Sequence, residues 1–127
     1  MDRDPFRHQP HTRARGRVGE ELGVEWLREH GYQIVERNVE FKTGEIDVVA
    51  TEGETLCFVE IKARTTGTYG PAIDAVTRTK QRRVARAAAF YLARNPTDAP
   101  CRFDVLGMDL TDGAWNYTLV RDAFTAR

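Results

Sequence analysis

The sequence predicts one α/β domain, a central mixed β-sheet flanked by helices in the order αβββαββ. Three observations predict it. The 127 residues suit a single domain. A 41% hydrophobic and 30% charged composition permits a buried core. Segments with helical apolar spacing are interleaved with short β-forming runs bounded by turn residues.

Residues 1–15 carry two prolines and no apolar periodicity. They read as a flexible basic arm, either a nucleic-acid contact or a terminus without a role, and leave 16–127 as the domain. A helix is expected over 17–30, with Val18, Leu22 and Trp26 at i, i+4 and i+8 and Leu27 beside them as its apolar stripe. Gly31 is its stop signal. Strands are expected over 32–38, 45–50 and 55–62, separated by the turn signals Thr43-Gly44 and Thr51-Glu52-Gly53-Glu54. Residues 63–72 read as a loop. The second helix, 77–94, is capped by Thr77 and ended by Asn95-Pro96, with Val84, Ala88 and Leu92 as its stripe. The fourth strand is 101–110, and Thr111-Asp112-Gly113 turns the chain into a fifth, 115–120. Arg102 and Asp104 are expected to pair near the central sheet.

Composition excludes several classes. No apolar run approaches the roughly 20 residues of a membrane helix, so no membrane partner is expected. The polar N-terminus carries no signal-peptide core. Two cysteines, Cys57 and Cys101, make neither a disulfide framework nor a zinc cluster. The expected location is the cytoplasm.

Net charge is zero, 19 basic against 19 acidic residues, but the charges lie in blocks. Residues 20–60 hold eleven acids and three bases; residues 62–94 hold eight bases and one acid. An acidic block followed by a basic one suits a site that binds both a metal and a phosphate backbone.

The second and third strands test each other. With Gly53-Glu54 at the two central turn positions, Ile46 faces Ile61, Val48 faces Val59 and Ala50 faces Cys57, all apolar and on one side. The other side then sets Glu45 opposite Lys62, Asp47 opposite Glu60, and Val49 opposite Phe58. A one-residue slip would mix apolar and charged side chains on both faces. The apolar pattern thus places two carboxylates side by side. Opposed like charges are destabilising unless one is protonated or a cation lies between them. Acids and a lysine on a strand are also what a solvated face shows. The forced register, Lys62 two residues from Glu60 and the basic helix that follows favour metal-assisted phosphodiester hydrolysis instead. Asp47 and Glu60 would hold Mg2+, Lys62 would bind phosphate or act on the nucleophile, and the helix bearing Glu20 could add a third carboxylate.

Gly44-Glu45-Ile46-Asp47 followed by Phe58-Val59-Glu60-Ile61-Lys62 resembles the split active site of the PD-(D/E)XK nuclease superfamily. With Gly19-Glu20, Gly31-Tyr32, Arg37-Asn38, Ala63-Arg64, Thr79-Lys80-Gln81 and Arg102-Phe103-Asp104-Val105, the series is similar to the YraN-like bacterial family. These are small uncharacterised proteins that resemble archaeal Holliday-junction resolvases. The resemblance runs from the first helix to the fourth strand. It implies a restriction-endonuclease-like core and a Mg2+- or Mn2+-dependent endonuclease. Glu20, Asp47 and Glu60 would be the metal ligands and, with Lys62, the catalytic set. The alternative is an inactive nucleic-acid-binding or adaptor protein that keeps the fold. Two departures stand out: Gly23 replaces the family's usual alanine, and Ile46 replaces the superfamily's proline.

Arg64, Lys80, Gln81, Arg82, Arg83 and Arg86 are the expected nucleic-acid contacts, with DNA the expected partner; the basic helix face otherwise reads as solvated. Contact with nucleic acid is preferred for Lys80 and Gln81 over an approach to the metal site. Tyr69, in the loop after Lys62, could stack on a base. Homodimerisation follows from the resolvase analogy alone.

Overall fold

The computed structural model describes residues 10–65 and 70–126. Its elements are α1 (Pro10–Glu29), β1 (Gln33–Phe41), β2 (Gly44–Glu52), β3 (Thr55–Arg64), a 3-10 turn (Ala72–Ala75), α2 (Arg78–Arg94), β4 (Cys101–Thr111) and β5 (Ala114–Phe124). Apart from the 3-10 turn, the order is the expected one. α1 begins at Pro10, ahead of residue 17; proline suits a first helical position, where its missing N–H costs nothing. The remainder of the expected arm, residues 1–9, and Tyr69 lie outside the described residues.

One five-stranded sheet runs β1-β2-β3-β4-β5. β3 and β4 are parallel and joined through α2; the other neighbours are antiparallel. The β2–β3 turn is as the sequence predicts: Glu52 pairs with Thr55, and Gly53 has φ 60°. At the β4–β5 turn Asp112 (φ 51°) and Gly113 (φ 78°) both take left-handed backbone, as a type I′ hairpin requires. The Thr77 hydroxyl accepts from the Lys80 N–H at 3.2 Å and caps α2.

The helices cover opposite faces. α1 lays Val24 and Leu27 on Val48, Ala50, Cys57, Val59, Leu106 and Met108. α2 lays Val84, Ala87, Ala88 and Tyr91 on Val49, Phe58 and Phe103. The expected α1 stripe is displaced. Val18 is 56% exposed and Leu22 37%, whereas Val24 and Leu27 are fully buried. Glycine explains the rotation. A Cβ at Gly23 would lie 3.1 Å from Met108 Sδ and 3.2 Å from Ile61, so α1 approaches the sheet where it has no side chain. Bulky apolar spacing does not register that contact.

A second difference falls at the predicted site. Ile46 does not share a face with Val48 and Ala50. It packs with Val39 and Val49 on the α2 side, while Val48 and Ala50 stay on the α1 side. β1 shows the reason. Asn38 has φ 53°, and the β1–β2 pairing skips Asn38 opposite Asp47. Asparagine tolerates this left-handed backbone, which rotates the chain and breaks strict alternation.

Candidate functional site

The break in alternation opens the sheet. β2–β3 pairing runs from Glu52↔Thr55 to Val48↔Val59 and stops there, although β2 continues along β1 and β3 along β4. The expected ladder pairs Asp47/Glu60, Ile46/Ile61 and Glu45/Lys62 are therefore not formed. Asp47 occupies the fork instead: the Ile61 N–H donates to its Oδ2 at 2.9 Å. A side chain thus satisfies a backbone donor that the lost pairing would have left unpartnered.

Carboxylates from three elements meet at the fork. A cleft of about 230 Å³ is lined by Glu20 of α1, Glu45 and Asp47 of β2, Glu60 and Lys62 of β3, and Lys80 of α2. Register arithmetic expects Asp47 and Glu60 as ladder partners; they are neighbours across a gap. Glu60 is only 4% exposed. Its Oε2 lies 3.7 Å from Lys80 Nζ, and its Oε1 is buried with no hydrogen-bond partner. Glu20 Oε2 is likewise buried without one.

Burial raises the pKa of Asp47, and the charges of Glu20 and Glu45 add to the rise against the Ile61 N–H. Burial also raises that of Glu60, with the Asp47 charge next. Lys62 is lowered by burial and then by the Lys80 charge, which favours its neutral amine. The cleft disfavours the negative charge that its own residues carry.

These residues fit a hard divalent cation. A buried carboxylate oxygen without a hydrogen-bond partner is costly unless something positive reaches it; Arg37 Nη2 lies 3.7 Å from Glu20 Oε2, which leaves Glu60 Oε1 as the stronger case. All the donors are oxygen, as Mg2+ and Mn2+ prefer. Among the described residues no three His, Cys, Asp or Glu side chains converge tightly enough to hold an ion by themselves. The fit is with an ion that takes few protein ligands and completes its shell with water and phosphate, as Mg2+ does.

The predicted nucleic-acid contacts divide. Lys80 lines the carboxylate cleft, and Lys80 and Arg83 line a second cleft beside it. Gln81 does not turn toward the carboxylates: its side chain donates to the Val76 carbonyl at 3.1 Å and helps start α2. Gln81 and Arg82 border a different cavity, with Arg78 and the end of β5. Arg86 is exposed on α2. Arg64 Nη1 donates to the Gly70 carbonyl at 3.2 Å.

Sequence reasoning missed Arg37 and Lys42. Arg37 Nη2 donates to Glu21 Oε2 at 2.8 Å and lies 3.7 Å from Glu20 Oε2. Its reach depends on the α1–β1 packing, for which spacing offers no signal. Lys42, at the tip of the β1–β2 hairpin, lines the second cleft.

The expected Arg102–Asp104 pair is present, within a larger network. Asp104, fully buried, accepts from Arg102 Nε at 2.9 Å, the Tyr32 hydroxyl at 2.7 Å and the Asp122 N–H at 2.9 Å. Arg102 also bonds Glu52, which Arg121 holds at 2.8 and 2.6 Å. Here no carboxylate oxygen is buried without a hydrogen-bond partner, in contrast to Glu20 and Glu60 at the fork.

Comparison with known proteins finds a family model described as "Uncharacterised protein family UPF0102", matching residues 19–108. The match includes all four residues of the expected catalytic set. A UPF0102 protein of Chlorobium chlorochromatii is 50% identical over 95 residues, 75% of this chain and 74% of its own. One of Symbiobacterium thermophilum is 45% identical over 117 residues, 91% of this chain and 99% of its own. One of Geobacter metallireducens is 48% identical over 99 residues, covering 77% and 81%. No helix among the described residues is long and apolar enough to cross a membrane.

Proposed function

The chain belongs to the uncharacterised protein family UPF0102, and we propose that it is a metal-dependent nucleic-acid-binding protein with endonuclease chemistry, on a restriction-endonuclease-like core of PD-(D/E)XK type. One observation carries the reading. Glu20, Asp47, Glu60 and Lys62 line a single cleft, and two of the three carboxylates present buried oxygens without hydrogen-bond partners.

Asp47 and Glu60 would hold Mg2+ or Mn2+, with Glu20 in the lining of the same cleft. A divalent cation there supplies charge stabilisation at phosphorus and lowers the pKa of water. The chain's own residues do the rest. The Ile61 N–H orients Asp47 at the cleft. Burial, and then the Lys80 charge, lower the Lys62 pKa, which favours a role as base toward the attacking water; in its charged form it binds a phosphate oxygen. Water adds to phosphorus, a backbone P–O bond breaks, and the leaving oxygen takes up a proton. DNA is the expected substrate.

A second reading, a nucleic-acid-binding or adaptor protein that does not cut, is favoured by Arg37, whose guanidinium competes for Glu20 at 3.7 Å. A metal-titrated cleavage screen over duplex, junction, flap and single-stranded substrates separates the two. Cleavage by the wild type that is lost in folded Asp47→Ala and Lys62→Ala supports the first. Binding without cleavage under any divalent metal supports the second.

A further inference from the structure

We propose that the cleft between the β1–β2 hairpin tip and α2 seats the single-stranded flank of a nucleic-acid substrate, its phosphates on Lys42, Lys80 and Arg83 and a base on the exposed ring of Phe90, which lies outside the cleft and packs on its lining residue Phe41. The proposal rests on the functional reading above and names a substrate form for it.

The cleft, about 380 Å³, shares Glu45, Glu60 and Lys80 with the carboxylate cleft, so a strand crossing one runs into the other. Its walls are fixed. A Cβ at Gly44 would collide with the Arg83 carbonyl, so hairpin and helix touch backbone to backbone. Phe41 packs on Phe90 with centroids 5.4 Å apart, and the Arg94 guanidinium lies 5.3 Å from the Phe41 centroid. Phe90 is nevertheless 47% exposed. A rigid, part-open aromatic next to cations is the pattern that takes an unstacked base; a duplex keeps its bases stacked inside.

Charge supports the assignment once the carboxylates are counted. Glu40, Glu45 and Glu60 line the cleft against Lys42, Lys80 and Arg83. Two of those acids, Glu45 and Glu60, also face the carboxylate cleft, where a divalent cation would offset them. Lys80, 3.7 Å from Glu60 Oε2, would then be released to phosphate. Lys42 and Arg83 are in no ion pair among the described residues. Strand binding should therefore be strengthened by divalent cation.

The test is fluorescence anisotropy of labelled single-stranded DNA and RNA with the full chain, with and without Ca2+, gels confirming that the strand stays intact. Ca2+ is expected to tighten binding. Lys42→Ala and Arg83→Ala should each weaken it and lower the salt slope by about 0.7. Phe90→Leu keeps the apolar volume, loses the stack and should weaken binding roughly fivefold or more. Arg78→Ala removes the same charge from α2 outside this cleft and should weaken it less. A strand bound equally by wild type, Lys42→Ala and Phe90→Leu, or weakened as much by Arg78→Ala as by Arg83→Ala, overturns the proposal while leaving the functional reading intact. No binding of any nucleic acid at low salt overturns both.

Discussion

Glu60 has one carboxylate oxygen 3.7 Å from Lys80 and the other buried without a hydrogen-bond partner. Its charge is costly to the metal-free protein and useful only when a cation arrives. Glu60→Gln should therefore stabilise the metal-free chain at neutral pH, on the order of 1–3 kcal/mol, and remove any rise in melting temperature on adding Mn2+. Thermal melts with and without Mn2+ check both, and a destabilised variant that still responds to Mn2+ would count against the assignment. That Asp47, Glu60 and Lys62 lie at one end of the hairpin was legible because apolar alternation pins its turn, and they do line one cleft, but the ladder pairs expected of them are not formed. Arg37 was not legible, because no local spacing records which strand residue meets α1.

The hairpin of β2 and β3 follows the sequence near its turn and departs from it at the fork. Strict alternation places Ile46 with Val48, but left-handed Asn38 sends Ile46 to the α2 face. An asparagine within a β-run was the available signal, since few other side chains accept that backbone. Asn38→Val should cost about 1–2 kcal/mol and weaken metal binding by straightening β1, whereas Asn38→Gly should keep both. Melting curves and Mn2+ titrations of the two variants decide it; equal behaviour would mean the fork does not depend on that residue. α1 teaches a related lesson. Its bulky stripe suggested one packing face, and Gly23 with Val24 and Leu27 supplies another.

The sheet places its two polar centres differently. Around Asp104 each charge is matched, and Asp104→Ala should destabilise the fold by about 1–3 kcal/mol because the Tyr32 hydroxyl, the Asp122 N–H and Arg102 Nε would lose their buried acceptor; chemical denaturation measures this. The two centres also give opposite pH dependence. Glu52, held mainly by the Arg121 hydrogen bond, has its pKa lowered to about 2 from 4.5. Its contribution is fully present above pH 4.5 and lost as pH falls toward 2. Asp47 and Glu60 are raised from 3.8 and 4.5, so the folded chain binds more protons than the unfolded one. Metal-free stability should then fall as pH rises from the ordinary carboxylate range toward neutrality. Melts across pH should show a maximum near the ordinary carboxylate values that Mn2+ extends upward; a metal-free profile flat to neutral pH would contradict this.

The order of elements and the turns were readable because periodicity and turn chemistry are local. The fork was not, because it depends on a backbone rotation in β1 acting across the sheet on β2. The most direct test of the site is calorimetric titration of Mn2+ into the wild type and into Asp47→Asn and Glu60→Gln. Saturable binding to the wild type that is lost or strongly weakened in both variants is the predicted result. Undiminished binding in the two variants, or none in the wild type, would contradict a shared cation at the fork.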